Sequence, residues 1–379
     1  MQDIFDNFGI YLHVPFCSGS CGYCRFYKRA PSAQSFDEYA EAVEREIALA
    51  KAEFGALPKP ETMYWGGGTP SILPEKTIAR LARAFGDLLP SREWTVEVAP
   101  SSATRGRLAA LKDAGVTRIS MGVQSFDERT LKRLGRRHAL KATLAAIDTV
   151  SQIGFEHFSI DLIFGAEGQT PDEWLADMER AAKCPVDHIS AYCLEFESAT
   201  SCCAGRPPNK DCEKSEREGD FLELAMSRLP ELGFERYEIS NYAKSPESRC
   251  LHNLSVWHMA RWLGFGPAAA SQFGGRRFAN IADFDKWLAA VRAGKPERVD
   301  IVSLDDETLF ADALIFGLRM AEGVNLRTLR ARFPSARCEK YLRTIGELKS
   351  EGLLEADGDT VRLTPRGTLV ADAVAVELL

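Results

Sequence analysis

No stretch of the sequence approaches the roughly 18 consecutive apolar residues of a membrane-spanning helix. Its opening, MQDIFDNFGIYLHV, carries acids where a secretory leader needs a basic segment, and no long apolar run follows. Basic charge is in deficit: 47 Lys+Arg against 54 Asp+Glu give a formal net charge of −7. That balance counts against broad electrostatic binding to nucleic acid or to an anionic membrane surface. Cysteine, at ten in 379 residues, is too sparse for a disulfide-dense secreted scaffold. Internal repeats and low-complexity tracts are missing. These absences predict a cytoplasmic, reduced protein with no transmembrane segment, in which clustered cysteines hold metal or do chemistry rather than cross-link. The 45% hydrophobic and 27% charged fractions are those of a globular chain. At about 100–200 residues per domain the length allows one large domain or two to three ordinary ones, with ample room for a core.

From residue 10 to about residue 193, short β-rich runs alternate with amphipathic helical stretches. The runs are 10–14, 63–67, 94–99, 118–123, 158–164 and 188–194; helices are expected near 37–54, 75–89, 104–114, 139–153 and 171–183. Ser35 lies ahead of the first helix, and Thr170-Pro171 reads as a cap followed by a first-turn proline. Six strands with five intervening helices describe a parallel sheet with right-handed crossovers, either an open doubly wound sheet or a partial (β/α) barrel. In both, ligands gather at the carboxyl ends of the strands. The Gly-rich turn at 66–69 and the polar residues Glu97, Gln124 and Asp161 fall at such ends and should face one shared site.

Beyond the sixth strand the pattern loosens. Residues 201–210 read as a loop, 213–233 as a helix, 236–243 as one strand, and 249–275 as loops packed onto the barrel mouth. Helices near 305–321, 325–333 and 338–351 and two β-like runs over 353–364, around an Asp-Gly turn signal, form a winged-helix pattern. The expected domains are a core barrel over 1–235, an extension over 236–300 and a C-terminal α+β winged-helix-like domain over 301–379. That last domain has no concentrated basic stripe and is not expected to bind nucleic acid.

The strongest chemical signal is CSGSCGYC, with Cys17, Cys21 and Cys24 in the loop after the first strand. Three thiolates within eight residues can wrap one small soft-metal centre. A structural zinc site wants four ligands. Three leave one metal position open to a non-protein ligand, which suits an iron–sulfur cluster with one exchangeable iron. GGGTP at 66–70 follows the second strand, where glycines let backbone groups approach a ligand closely.

Taken in order, YLHVPFCSGSCGYCRF, YWGGGTPS, VEVAPSS, RISMGVQSFDERTLKRLGRRH and SIDLIFGAEGQT resemble the radical S-adenosylmethionine (SAM) proteins related to oxygen-independent coproporphyrinogen III oxidase. The resemblance runs from about residue 10 to the C-terminus. It implies a partial (β/α)6 TIM-like radical SAM barrel followed by the C-terminal domain. It also implies a 4Fe-4S cluster on Cys17, Cys21 and Cys24, whose open iron binds the amino and carboxylate groups of SAM. By position, Tyr11, Tyr23, Gly67, Gly68, Thr69, Glu97, Gln124, Arg136 and Asp161 match the family's SAM-site positions. A zwitterionic sulfonium ligand needs carboxylates and amides converging from several strand ends, which agrees with these assignments.

Within that family three branches compete. The decarboxylating oxidases carry a substantial extension before the cluster loop; here Cys17 is already the first cysteine, which counts against them. The heme chaperones share the core and carry HNxxYW after the barrel. This sequence has HNLSVW at 252–257, with Val256 in place of the tyrosine, and Cys250 just before it. Cys250 and His252 are chemically suitable axial ligands for heme iron. Two departures, Arg25 where the chaperones usually have an acid and Ala270 where they commonly have His, keep open a third branch of methyltransferases and heme-degrading relatives acting on a tetrapyrrole or aromatic substrate. The reading chosen is a heme chaperone, with heme or another tetrapyrrole and a heme-accepting protein as partners. The resemblance leaves open whether SAM is cleaved to methionine and a 5′-deoxyadenosyl radical or serves a structural or gating role. A different class of reading makes the chain a non-catalytic interaction module with the cluster as a staple. The remaining cysteines, Cys184, Cys193, Cys202, Cys203, Cys212 and Cys338, have no metal-like register and read as packing or surface thiols.

Overall fold

The computed structural model describes residues 7–19, 21–136, 140–194 and 211–379, with the backbone alone over 211–216. The first half alternates strand and helix. Strand β1 (Phe8–Val14) leads to helix α1 (Ala33–Phe54), and β2 (Thr62–Gly67) to α2 (Glu75–Phe85). Next come β3 (Glu93–Val98), α3 (Arg105–Ala114), β4 (Arg118–Gln124), the helices α4 (Glu128–Arg133) and α5 (Leu140–Ile153), β5 (His157–Phe164), α6 (Pro171–Ala182) and β6 (His188–Cys193). Helix α1 starts earlier than its periodicity predicts. Ser32, not Ser35, is the N-cap, and Ser35 completes a reciprocal capping box from the first turn. Thr170 caps α6 with Pro171 in the first turn and Glu173 closing the box.

Strands β1 to β6 pair in parallel in strictly sequential order. A doubly wound sheet would reverse direction at a switch point; this sheet never does, so of the two shapes the partial barrel is the one formed. Strands buried on both faces read as near-continuous apolar runs. Strand β3 instead alternates Trp94, Val96 and Val98 with Glu93, Thr95 and Glu97, and Trp94 packs edge-on against Trp65 at 5.1 Å between ring centres.

The sheet continues past the barrel. After α7 (Asp211–Glu231), β7 (Glu235–Arg236) and β8 (Asn241–Ala243) pair antiparallel, with β8 on the β6 edge. The single strand expected over 236–243 is thus two short strands around a turn. The stretch expected as loops at the mouth is ordered instead: α8 (Leu251–Trp257), β9 (Arg261–Phe265), β10 (Ala270–Phe273) and β11 (Arg276–Asn280) are followed by α9 (Phe284–Arg292) and β12 (Arg298–Ser303). Strand β9 runs parallel to β1 and extends the sheet at that edge to β12, giving twelve strands among the described residues.

The C-terminal part comprises α10 (Asp306–Leu318), β13 (Val324–Asn325), α11 (Leu326–Arg332), α12 (Glu339–Ser350), the hairpin β14 (Leu354–Asp357) and β15 (Thr360–Leu363), α13 (Pro365–Leu369) and α14 (Ala371–Glu377). This is the winged-helix-like arrangement with β13 added to the hairpin. It has its own core, including Phe310, Leu314, Tyr341, Ile345 and Val361. It docks on the barrel through a hydrogen bond from Ala321 N–H to the Tyr237 carbonyl (3.0 Å) and through Arg319, whose guanidinium lies 3.8 Å from the buried Glu238 carboxylate and over the Trp257 ring. No helix among the described residues is long and apolar enough to cross a membrane.

Candidate functional site at the carboxyl ends of the strands

A cavity of about 610 Å³ opens at the carboxyl ends of the barrel strands. Cys17, Cys21 and Cys24 line one wall, and Gly67, Gly68, Thr69, Glu97, Gln124, Arg136 and Asp161 line the rest together with Tyr23. Residues from separate segments, some grouped by their place at strand ends and others, such as Tyr23 and Arg136, by the family resemblance, therefore meet in one place.

The cysteine loop is held by backbone. Cys17 N–H donates to the Arg29 carbonyl (3.0 Å) and Arg29 N–H to that of Pro15 (2.7 Å), which closes the loop at its base. Lys28 Nζ donates to the Cys24 carbonyl at 2.8 Å. The glycine turn is stitched to the same loop: Gly68 N–H donates to Val14 O (2.9 Å) and Thr69 N–H to Phe16 O (2.7 Å), and the Thr69 hydroxyl lies 3.4 Å from Cys17 Sγ. Glycine is required at two of these positions. At Gly67, φ is +103° and a Cβ would stand 2.5 Å from the His13 ring; at Gly68 a Cβ would stand 2.6 Å from the Phe16 carbonyl oxygen.

The cavity floor is acidic. Glu97 accepts from the Tyr64 hydroxyl (2.9 Å) and from Gly67 N–H (3.2 Å). Burial, reinforced by the neighbouring Asp161 charge, pushes its carboxyl up to about 7. Asp161 accepts from Ser120 Oγ at 3.0 Å and is itself raised by burial. Arg136 supplies the opposing charge and is anchored by a 3.0 Å hydrogen bond from Nε to the Tyr23 hydroxyl.

Gln124 carries two further marks of a binding position. Its φ is +72°, left-handed for a residue with a side chain, at a bulge where β4 slips register against β5. Its buried Oε1 has no hydrogen-bond partner among the described residues. A strained residue and an orphaned buried acceptor persist where the surroundings over-determine them, which is common at ligand sites.

The donor set suits a 4Fe-4S cluster with SAM. All three loop thiols are free of disulfides and half-buried. Among the described residues no three His, Cys, Asp or Glu side chains converge on a single ion. A four-iron cluster takes each thiolate on a different iron, so it needs wider spacing than one ion does. Two half-buried acids beside an orphaned amide suit a cationic, polar ligand.

Tyr11 does not line the cavity. Its ring lies beside Tyr64 with centres 6.4 Å apart, and its hydroxyl is 3.1 Å from His13 Nδ1. Tyr64, Ser120 and Tyr192 do line it and are not singled out by sequence reasoning. The available signal is strand alternation, since Tyr64 stands two residues before Gly66, Ser120 two before Gly122, and all face inward. Cys193 also lines the cavity. Cys202 and Cys203 lie outside the described residues, as does the Cys212 side chain.

Cys250 and His252, expected as axial ligands of a heme iron, do not line this cavity. Both are buried at the opposite, amino-terminal end of the barrel, where α8 packs under β2 and β3. His252 Nδ1 is 2.9 Å from the Thr62 hydroxyl, and burial pulls the imidazole down to about 4. The Cys250 thiol lies 3.5 Å from Glu93 Oε1 and is pushed up to about 12, so it is neutral and a poor donor to metal. Glu93 caps α8 by accepting from Leu251 N–H (3.1 Å) and His252 N–H (3.0 Å), and it pairs with the buried Arg118 at 2.9 Å. This is structural chemistry.

Comparison with known proteins agrees with this geometry. The radical SAM superfamily model matches residues 11–181, and the HemN C-terminal domain model matches residues 304–370. The heme chaperone HemW of Mycobacterium tuberculosis is 34% identical over 383 residues, covering 98% of this chain and 95% of that protein. The heme chaperone HemW of Bacillus subtilis is 32% identical over 377 residues, covering 96% and 97%. Among solved structures, Escherichia coli coproporphyrinogen III oxidase (HemN) superposes with a TM-score of 0.84 at 22% identity, covering 99% of this chain and 90% of that one, which shows a shared fold. Barrel, cysteine loop and C-terminal domain together define the radical SAM class, which implies a 4Fe-4S cluster and SAM. Within that class, the chain belongs to the heme chaperone HemW family.

Proposed function

We propose that this protein is a heme chaperone: it binds heme and delivers it to an accepting protein, with a 4Fe-4S cluster and SAM held in the cavity at the carboxyl ends of the strands. The observation that carries this reading is similarity along nearly the whole chain to heme chaperones of several bacteria. The cavity supports the cofactor part. Cys17, Cys21 and Cys24 would hold the cluster. Gly67, Gly68 and Thr69 would present backbone and hydroxyl groups to SAM, while Glu97 and Asp161 would meet its positive charge and Arg136 and Gln124 its polar groups. Such a pair, when bound and reduced, supplies one-electron cleavage of the sulfonium. The chain's own part is to hold the ligand's charges against Glu97, Asp161 and Arg136. A staple alone would need no such acidic, amide-bearing floor, and this disfavours the interaction-module reading.

The test is to reconstitute the full chain anaerobically, add heme and follow the Soret band. Binding at micromolar heme supports the chaperone reading, and no binding overturns it. A methylated or decarboxylated tetrapyrrole product would replace it with the enzyme reading.

A further inference from the structure

Among the described residues, only two aromatic side chains rank with the exposed large hydrophobics, Phe26 at 58% and Tyr192 at 41%. Both line the same cavity. Phe26 follows the last loop cysteine by two residues, and Tyr192 lies near the end of β6, so separate elements bring them to one opening. Arg25 and Lys28 line it too. The floor is of the other sign, with the half-buried Glu97 and Asp161.

We infer that this mouth is the heme seat, with Phe26 and Tyr192 taking the macrocycle's apolar face and Arg25 and Lys28 its propionates. This rests on the chaperone reading and gives it a place in the structure.

Three physical points select this ligand. An aromatic left in water at a cavity mouth is matched by a flat apolar partner, because stacking removes its face from solvent. Cations beside it select carboxylates. The acidic floor repels those same carboxylates, so the ligand enters apolar edge first and keeps its charged edge outward. A cavity of about 610 Å³ that also takes a cluster and SAM leaves a macrocycle at the rim rather than in the interior. A rim position leaves one side of the ligand open to an accepting protein, which suits handover.

The full chain, reconstituted with cluster and SAM, is titrated with heme and with heme dimethyl ester. Phe26→Ala is expected to raise the heme Kd about tenfold. Arg25→Glu is expected to raise it about fivefold for heme and to leave the ester unaffected. Cluster absorbance and SAM retention in equilibrium dialysis stay as in the unaltered protein, because neither side chain is assigned to those ligands. Cys250→Ser, at the other end of the barrel, should bind heme normally. If the unaltered chain binds heme while Phe26→Ala and Arg25→Glu bind it equally well, the seat is wrong and the chaperone reading stands. Loss of the Soret band only in Cys250→Ser would also overturn the seat. Failure of the unaltered chain to bind heme removes both.

Discussion

Replacing Arg118 with Ala tests whether the amino-terminal end of the barrel is a structural plug. The Arg118 and Glu93 side chains are 1% and 3% exposed. Arg118 Nε meets Glu93 at 2.9 Å, and its Nη2 donates to the carbonyls of Ser248 and Arg249, each at 3.0 Å. Truncation leaves a buried carboxylate without its cation and two carbonyls without donors. Removing one partner of a buried pair costs about 3–5 kcal/mol, with a buried orphaned carbonyl at about 1–3 kcal/mol falling within the same loss. The assay is hydrogen exchange at the Leu251 and His252 amides, both of which donate to Glu93. At about 1.4 kcal/mol per tenfold, their protection should fall by about 10²- to 10³-fold. The double variant Arg118→Met with Glu93→Gln removes both charges at similar volume, so it should recover the part of that loss due to the unpaired carboxylate. Protection within threefold of the unaltered protein for Arg118→Ala, or a double variant no better than the single one, would refute the reasoning.

Two further tests address the cavity. A Cys24→Ser protein should lose the four-iron signal in visible absorption and electron paramagnetic resonance after anaerobic reconstitution; a normal four-iron signal refutes the ligand assignment. Glu97, raised to about 7, is largely protonated at pH 6 and ionised at pH 8. The carboxylate that would meet a cationic ligand is therefore present above that value and lost below it. SAM affinity in equilibrium dialysis should rise about tenfold from pH 6 to pH 8. Glu97→Gln should flatten the profile, and an equally steep profile in that variant would show that another group controls it.

Chemistry packed into a short span is legible in the sequence. Three thiols within eight residues, a Gly-rich turn after an apolar run and a strand–helix alternation are local patterns, and local spacing places them at strand ends. The capping of α6 by Thr170 is local too. That Cys250 and His252 lie away from the cavity is not legible in the sequence, because a motif names residue types and not the end of the barrel they reach. Helix α8 follows a return across the sheet, and burial against Glu93, Thr62 and Arg118 decides what those side chains do. Tyr64 and Ser120 escape notice for a related reason. An isolated inward hydroxyl is unremarkable until the strand beside it presents Glu97 or Asp161.

Periodicity and turn chemistry act over a few residues. They are therefore enough for the strand–helix alternation of a parallel sheet, the cysteine loop, the acidic and amide groups at the strand ends and the winged-helix-like tail, while the choice between open sheet and barrel rests on the strand order. Four other features exist only in the folded chain: the sequential pairing of β1 to β6, the addition of β9 to β1, the bulge that strains Gln124, and the gathering of Phe26 and Tyr192 in one cavity. They depend on pairings between residues far apart in the chain, whose free energy arises only when the whole sheet is packed.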